Sequence, residues 1–194
     1  MNKNRLEAFS DGVLAIIITI MVLEIKVPHG SDWAQLIELI PIFVSYICSF
    51  VYIGIYWGNH HHLLHSLKHV SSGVIWANIN LLFWLSLIPF ATGWMGENHF
   101  EPNTVATYGA ILFICGFAFF ILQNAVNKKS YDLEGIKKAF STQNKKGIVS
   151  STGYLLSIPL SYISPYISGA IFIINSIIWL MPDKNIEKAL SEEK

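Results

Sequence analysis

Apolar residues along this chain fall into long runs that are separated by short polar segments. Each run approaches or exceeds the ~17 residues that an α-helix needs to cross a bilayer. The pattern predicts an all-α membrane protein, residues 1–194 forming one domain of six transmembrane helices. The predicted spans are approximately residues 5–27, 36–64, 74–94, 104–126, 147–163 and 166–181.

Prolines refine this layout. Pro41 lies near the start of the second span, where a helix tolerates it, and Pro89 predicts a kink in the third. The polar segment Asn127–Lys146 predicts a loop between the fourth and fifth spans. The last two spans are near the minimum length, and because Pro159 and Pro165 both interrupt this region, a different division of it stays open.

The distribution of positive charge orients the predicted helices. With six spans, all but one of the 13 Lys and Arg residues lie on one side of the membrane, and the exception is Lys26. Positive residues concentrate in cytoplasmic loops, so both termini are expected in the cytoplasm. The residues on the predicted cytoplasmic side are Lys3, Arg5, Lys68, Lys128, Lys129, Lys137, Lys138, Lys145, Lys146, Lys184, Lys188 and Lys194.

Composition excludes several classes of protein. Apolar residues make up 53% of the chain and charged residues 13%, against about 25% charged in typical soluble domains. The formal net charge of zero provides no basic field, so no nucleic-acid partner is expected. Cys48 and Cys115 lie in apolar runs and are interpreted as small buried side chains. Because no arrangement of catalytic type is present, the chain is not expected to be an enzyme.

The first predicted helix carries a stripe of mostly apolar residues. At about 100° per residue, the members of the stripe lie within roughly 40° of Ile16, and Thr19 lies about 60° to one side. The members are Arg5, Phe9, Gly12, Ile16, Ile20 and Leu23. Alone, such a stripe is more typical of lipid contact or core packing than of a pore.

Ser10 and Asp11 point away from this stripe, at about 120° and 140° from Ile16. Charged groups in membrane helices usually face the bundle interior, so Arg5, Ser10 and Asp11 are expected to form a buried hydrogen-bond network. The alternative is that Arg5 and Asp11 extend to the headgroups. The candidate partners are polar or aromatic residues of the next two helices: His60, His61, His65, Asn78, Asn80 and Trp84.

The pattern Arg5-x-x-x-Phe9-Ser10-Asp11, followed by an apolar helix, resembles the signature of the transmembrane protein 175 family. Members of this family are potassium channels of animal endosomes and lysosomes and of many prokaryotes, and a single six-helix unit resembles the prokaryotic members. The resemblance implies a homotetramer in a prokaryotic plasma membrane, in contact with lipids and permeated by K⁺ without a cofactor. It also implies that the first helix lines the pore and that no conventional selectivity loop exists.

The resemblance further implies roles for individual residues. Ile16, Ile20 and Leu23 are expected to form the pore constriction, and Thr19 corresponds to a threonine layer of some members. Arg5, Phe9, Ser10 and Asp11 are expected to hold the first helix against its neighbours. A narrow apolar ring makes an ion shed part of its hydration shell, and K⁺ holds its water less tightly than Na⁺.

Two other functions stay open at this point. Asp11 could relay protons in a proton pathway or a proton-coupled secondary transporter. His61, His65 and His69 share one helical face, a spacing that can hold a metal or haem in a redox protein. Because neither Cys nor Glu lies near these histidines in the sequence, no metal site is expected.

Overall fold

α-Helices make up nearly all of residues 2–130 and 134–180, the part of the chain that the computed structural model describes. Within these residues there are eight: α1 (Lys3–Leu23), α2 (Trp33–Glu38), α3 (Ile40–His65), α4 (Ser72–Leu85), α5 (Ile88–Glu97), α6 (Pro102–Asn127), α7 (Glu134–Ser161) and α8 (Pro165–Leu180). The predicted all-helical membrane fold is confirmed.

Four segments of the described residues are long and apolar enough to cross a membrane. They are α1, α3, α6 and the stretch Ser72–Glu97, which comprises α4 and α5. α8 is apolar but has 16 residues, and α7 begins with a polar half. The membrane-spanning character of the first four predicted spans is therefore supported, while the number six stays a prediction.

Helix boundaries differ from the predicted ones at turns and prolines. α1 ends at Leu23 instead of residue 27, because the N–H of Glu24 turns back to the carbonyl of Met21. The predicted second span is divided into α2 and α3, with Pro41 in the first turn of α3. The kink expected at Pro89 is present as a break between α4 and α5, since proline cannot donate the intrahelical hydrogen bond.

The prediction that Asn127–Lys146 is a loop is wrong from Glu134 onward. α7 begins there and continues past Pro159 to Ser161. Its first half buries Ile136, Phe140 and Gln143, which lie three or four positions apart and share one helical face. Exposed lysines among and just after them, Lys138 and Lys145, mask this periodicity in the sequence.

α6 lies at the centre of the subunit, in contact with α4, α5, α7 and α8. α1 lies at an edge and packs on α3, α4 and α5. One face of α1 is buried against these helices, through Leu6, Ser10, Leu14, Ile17 and Met21. The remaining faces of α1 are therefore free within a single subunit.

Candidate functional site

The stripe on α1 is exposed in the single subunit. Ile16 is 58% exposed, Ile20 43% and Leu23 76%, and Phe9 and Thr19 are also exposed. These exposed side chains lie on the face of α1 opposite to the buried one. The subunit thus presents a row of apolar side chains that no part of its own described fold covers.

Two side-chain hydrogen bonds within α1 lie at its N-terminus and within the stripe. Asn2 caps the N-terminus by accepting a hydrogen bond from the backbone N–H of Arg5 through Oδ1, at 2.9 Å. Thr19 Oγ1 donates to the carbonyl of Ile16 at 2.9 Å. Because this bond uses the only proton of the hydroxyl, the lone pairs of Thr19 remain available to accept.

A buried chain of hydrogen bonds joins three helices behind the stripe. His60 Nε2 of α3 lies 2.7 Å from Asn78 Oδ1 of α4, and Asn78 Nδ2 donates to Ser10 Oγ of α1 at 2.9 Å. Ser10 Oγ in turn donates to the carbonyl of Leu6 at 2.9 Å. Since Asn78 Oδ1 is an acceptor, His60 donates through Nε2, and the direction of donation runs unbroken from α3 to α1.

A second set of contacts connects α1 and α3 at three successive turns. Lys3 Nζ donates to the carbonyl of His65 at 2.7 Å, and His61 Nδ1 lies 2.6 Å from Glu7 Oε1. One turn further, Trp57 Nε1 donates to Asp11 Oδ1 at 3.0 Å. Positions 3, 7 and 11 thus meet positions 65, 61 and 57, as two antiparallel helices require. We call these three contacts the α1–α3 ladder.

The structure therefore brings some of the predicted partners together and leaves others apart. Ser10 meets Asn78, which in turn meets His60, whereas Asp11 is part-exposed and bonds to Trp57. Arg5, expected in the same buried network, instead points outward with the stripe, because its position on α1 is nearly that of Ile16. Phe9, also assigned to this network, is likewise exposed. Within the described part of the chain, Asn80 and Trp84 make no hydrogen bond to Ser10 or Asp11.

Sequence reasoning missed Trp57, Glu7 and Lys3. The spacing of four residues in both 3/7/11 and 57/61/65 was the available signal, since it places each set on one helical face. The sequence also indicated that no acidic residue lies near the histidines, but Glu7 reaches His61 from another helix. Within the described residues, no group of three or more His, Cys, Asp or Glu side chains is placed to hold a metal ion.

An open groove of about 580 Å³ runs beside the stripe, between α1 and α5. Its walls include Ile16 and Ile20 from α1 and Phe90 and Trp94 from α5. At its far end Lys26 forms an exposed ion pair with Glu97, and this hydrogen bond raises the pKa of Lys26. The groove and the stripe together form one continuous uncovered apolar surface.

Comparison with known proteins identifies relatives over the whole chain. A family described as "Endosomal/lysosomal potassium channel TMEM175" matches residues 5–89, the region that contains most of α1 and all of α3 and α4. A protein of Chryseobacterium sp. (strain P1-3) named as a potassium channel is 51% identical, covering 99% of this chain and 100% of the relative.

A solved structure and an animal relative extend the comparison. The crystal structure of a lysosomal potassium-selective channel TMEM175 homolog from Chamaesiphon minutus superposes with a TM-score of 0.81 at 26% identity, over 92% of this chain and 96% of that one. The Gallus gallus protein named "Endosomal/lysosomal proton channel TMEM175" is 33% identical over 62% of this chain and 26% of its own length.

Proposed function

The chain belongs to the TMEM175 family of membrane channels, and from this membership we propose that it is a potassium channel. It acts as a homotetramer in a prokaryotic plasma membrane, and α1 of each subunit lines a central pore. The bacterial relative that matches its full length is named as a potassium channel, and the similar solved structure is titled a potassium-selective channel.

The exposed stripe on α1 is the observation that carries this proposal. α1 leaves Ile16, Ile20 and Leu23 uncovered in the single subunit, so this face is available for either lipid or a shared axis, and membership of a channel family favours the axis. Four-fold assembly places four copies of the stripe around one axis, and the groove between α1 and α5 receives the neighbouring subunit.

Selectivity then follows from the cost of dehydration. Ile16, Ile20 and Leu23 form successive apolar rings, which a cation passes only after losing part of its water. K⁺ is the more weakly hydrated ion and is favoured, but modestly, because no cage of carbonyl groups replaces the lost water. Thr19, whose hydroxyl proton is committed to its own helix, offers a lone pair to the ion between two rings.

The residues behind the stripe position α1 and do not touch the ion. The N-terminal half of α1 is held by the buried hydrogen bonds that join Ser10, Asn78 and His60. The α1–α3 ladder fixes the position of α1 along its own axis. Arg5 and Phe9 lie on the stripe face at the predicted cytoplasmic mouth. There the Arg5 guanidinium faces water or a neighbouring subunit.

The proposal is tested by cation flux into liposomes that contain the purified protein. We expect K⁺ to carry flux and Na⁺ to carry less. Ile20→Asn should wet the constriction and lower the ratio of K⁺ to Na⁺ permeability severalfold in bi-ionic recordings. Val22→Asn is the control, since Val22 is exposed on α1 but lies about 120° from the stripe. An unchanged ratio in Ile20→Asn, or an equal change in Val22→Asn, contradicts the assignment of the constriction.

The assembly state is tested separately by native mass spectrometry in detergent. Four-fold assembly predicts a complex of four chains. A stable dimer of this chain contradicts the proposed pore, because two copies of one helix cannot close a ring around an axis.

Proton conduction is the second candidate function. Asp11 is a part-exposed carboxyl group on the proposed pore helix, and the Gallus gallus relative is named as a proton channel. A pH-sensitive dye trapped in K⁺-free liposomes measures this activity directly. If Asp11 carries protons, Asp11→Asn abolishes acidification and leaves K⁺ flux intact; loss of both fluxes indicates that Asp11 positions α1 instead.

A further inference from the structure

A second cavity lies away from the stripe, between α3, α6 and α7, with Trp179 of α8 at its edge. Its volume is about 320 Å³, and none of its lining residues belongs to α1. The walls are rich in aromatic side chains, among them Tyr56, Phe113 and Phe119. This volume is at the lower end of the range for small-molecule pockets, roughly 300–1,000 Å³.

One end of this cavity is polar and incompletely hydrogen-bonded. Gln143 is only 3% exposed, and its carbonyl oxygen Oε1 has no hydrogen-bond partner among the described residues. Its amide group directs one proton to Asn59, since Nε2 lies 3.4 Å from Asn59 Oδ1. Beside this pair, Gln123 Nε2 donates to Asn144 Oδ1 at 2.8 Å. Gln143 Oε1 is therefore a buried acceptor at the polar end that lacks a donor among the described residues.

The other lining residues indicate what kind of molecule can supply this donor. The cavity is lined by no Asp, Glu, Lys or Arg residue of the described chain, so it favours neither a cation nor an anion. Water finds the two to four partners it needs only at the polar end, beside Asn59 and Asn144, whereas the aromatic part of the cavity favours a hydrocarbon group. Exposed apolar residues at the rim, Phe117, Ile148 and Leu155, make the entrance compatible with access from the lipid phase.

We propose that this cavity binds a neutral amphipathic alcohol that enters from the membrane. The hydroxyl group donates to Gln143 Oε1, and the hydrocarbon part fills the aromatic end beside Tyr56 and Phe119. The site is separate from the proposed pore, so binding does not depend on the protein being a potassium channel.

Photolabelling with a diazirine analogue of 1-octanol tests the proposal on the full-length protein in lipid nanodiscs. Peptide mapping by mass spectrometry should find the label on cavity-lining segments of α3, α6 or α7. Excess 1-octanol should compete with the label more effectively than octane does. Labelling spread evenly over all membrane helices, or equal competition by octane, overturns the proposal.

Two variants test the volume of the cavity and the hydrogen bond at its polar end separately. In Gly116→Leu the added Cβ would lie 3.7 Å from Ser151 Oγ and 4.0 Å from Tyr56 Oη, an ordinary contact, so the side chain extends into the cavity and should block labelling. Gln143→Met removes the acceptor at similar volume and should weaken competition by 1-octanol about two- to tenfold, the effect of one net hydrogen bond.

Gly169→Leu is the matched control, because Gly169 also has open space around it but does not line the cavity. If Gly116→Leu fails to fold, Gly147→Leu replaces it, since Gly147 lines the same cavity and has no atom within 4 Å of its added Cβ. Undiminished labelling in a folded cavity-filling variant, or undiminished competition in Gln143→Met, overturns the assignment.

Discussion

Asn78 is the residue through which α4 holds both α1 and α3. Its side chain is fully buried, accepts from His60 and donates to Ser10. A primary amide carries an acceptor and a donor on one rigid plane, which a hydroxyl group or an apolar side chain cannot reproduce at the same span. A single side chain of α4 thus provides hydrogen-bond partners for a buried polar group of α1, Ser10 Oγ, and for one of α3, His60 Nε2.

Replacing Asn78 should therefore destabilise the subunit. Asn78→Leu leaves Ser10 Oγ without its donor and His60 Nε2 without its acceptor in a buried site, which costs on the order of 1–3 kcal/mol per unsatisfied group. We expect a lower midpoint of thermal unfolding, measured in detergent by differential scanning fluorimetry. Asn80→Leu is the control, because Asn80 lies two residues away, is only partly buried and takes no part in this chain of hydrogen bonds. Equal midpoints for the two variants would contradict the role given to Asn78.

At the scale of elements, glycine sets how closely α3 and α5 cross. A Cβ atom on Gly96 would lie 2.8 Å from the Cα of Ile42 and 2.5 Å from Ser45 Oγ, and the first of these is backbone that cannot move aside. The crossing therefore depends on the absence of a side chain at position 96. Gly54 of α3 differs, since an added Cβ there meets no atom within 4 Å.

Substitutions at Gly96 and Gly54 together test the packing between α3 and α5. Gly96→Ala should lower the free energy of unfolding by about 1–3 kcal/mol through overpacking. Gly54→Ala should leave it unchanged or raise it by up to ~1 kcal/mol, because alanine is the better helix former. Chemical denaturation followed by circular dichroism measures both, and a Gly96→Ala protein as stable as Gly54→Ala would refute the close crossing.

The sequence predicts most of the helices but few of the contacts between them. The apolar runs located the first four membrane segments because hydropathy depends on composition within one segment. The start of α7 was missed because its apolar residues, Ile136 and Phe140, are outnumbered by polar neighbours. Contacts between helices were predicted only as alternatives: Asn78 was among six candidates, and Trp57 was not considered, since the relative rotation of two helices is set by packing of the whole bundle.

At the scale of the whole molecule, the asymmetric distribution of Lys and Arg predicts the orientation of the chain in the membrane. With six spans, Asp32 lies outside the cell and Lys128 inside, and both side chains are exposed. We expect a membrane-impermeant maleimide to label Asp32→Cys in intact cells and Lys128→Cys only after permeabilisation. Cys48 is replaced by Ala in both variants, and Cys115 is buried. Labelling of both positions in intact cells would require an even number of spans between them, instead of the predicted three, and would overturn the layout.

The α1–α3 ladder restricts how the proposed pore helix can move. Its contacts repeat every four residues on both helices, so sliding α1 along its axis by one residue, ~1.5 Å, strains all three together. The next register that opposes the same two faces lies a full turn away, ~5.4 Å. Beyond Asp11, by contrast, α1 is held within the described residues by apolar side chains, chiefly Leu14, Ile17 and Met21, and such contacts tolerate small lateral shifts. If α1 lines the pore as proposed, its polar contacts fix the N-terminal half along the axis, and we expect widening at Ile20 and Leu23 to come from a sideways tilt of the C-terminal half rather than from axial travel.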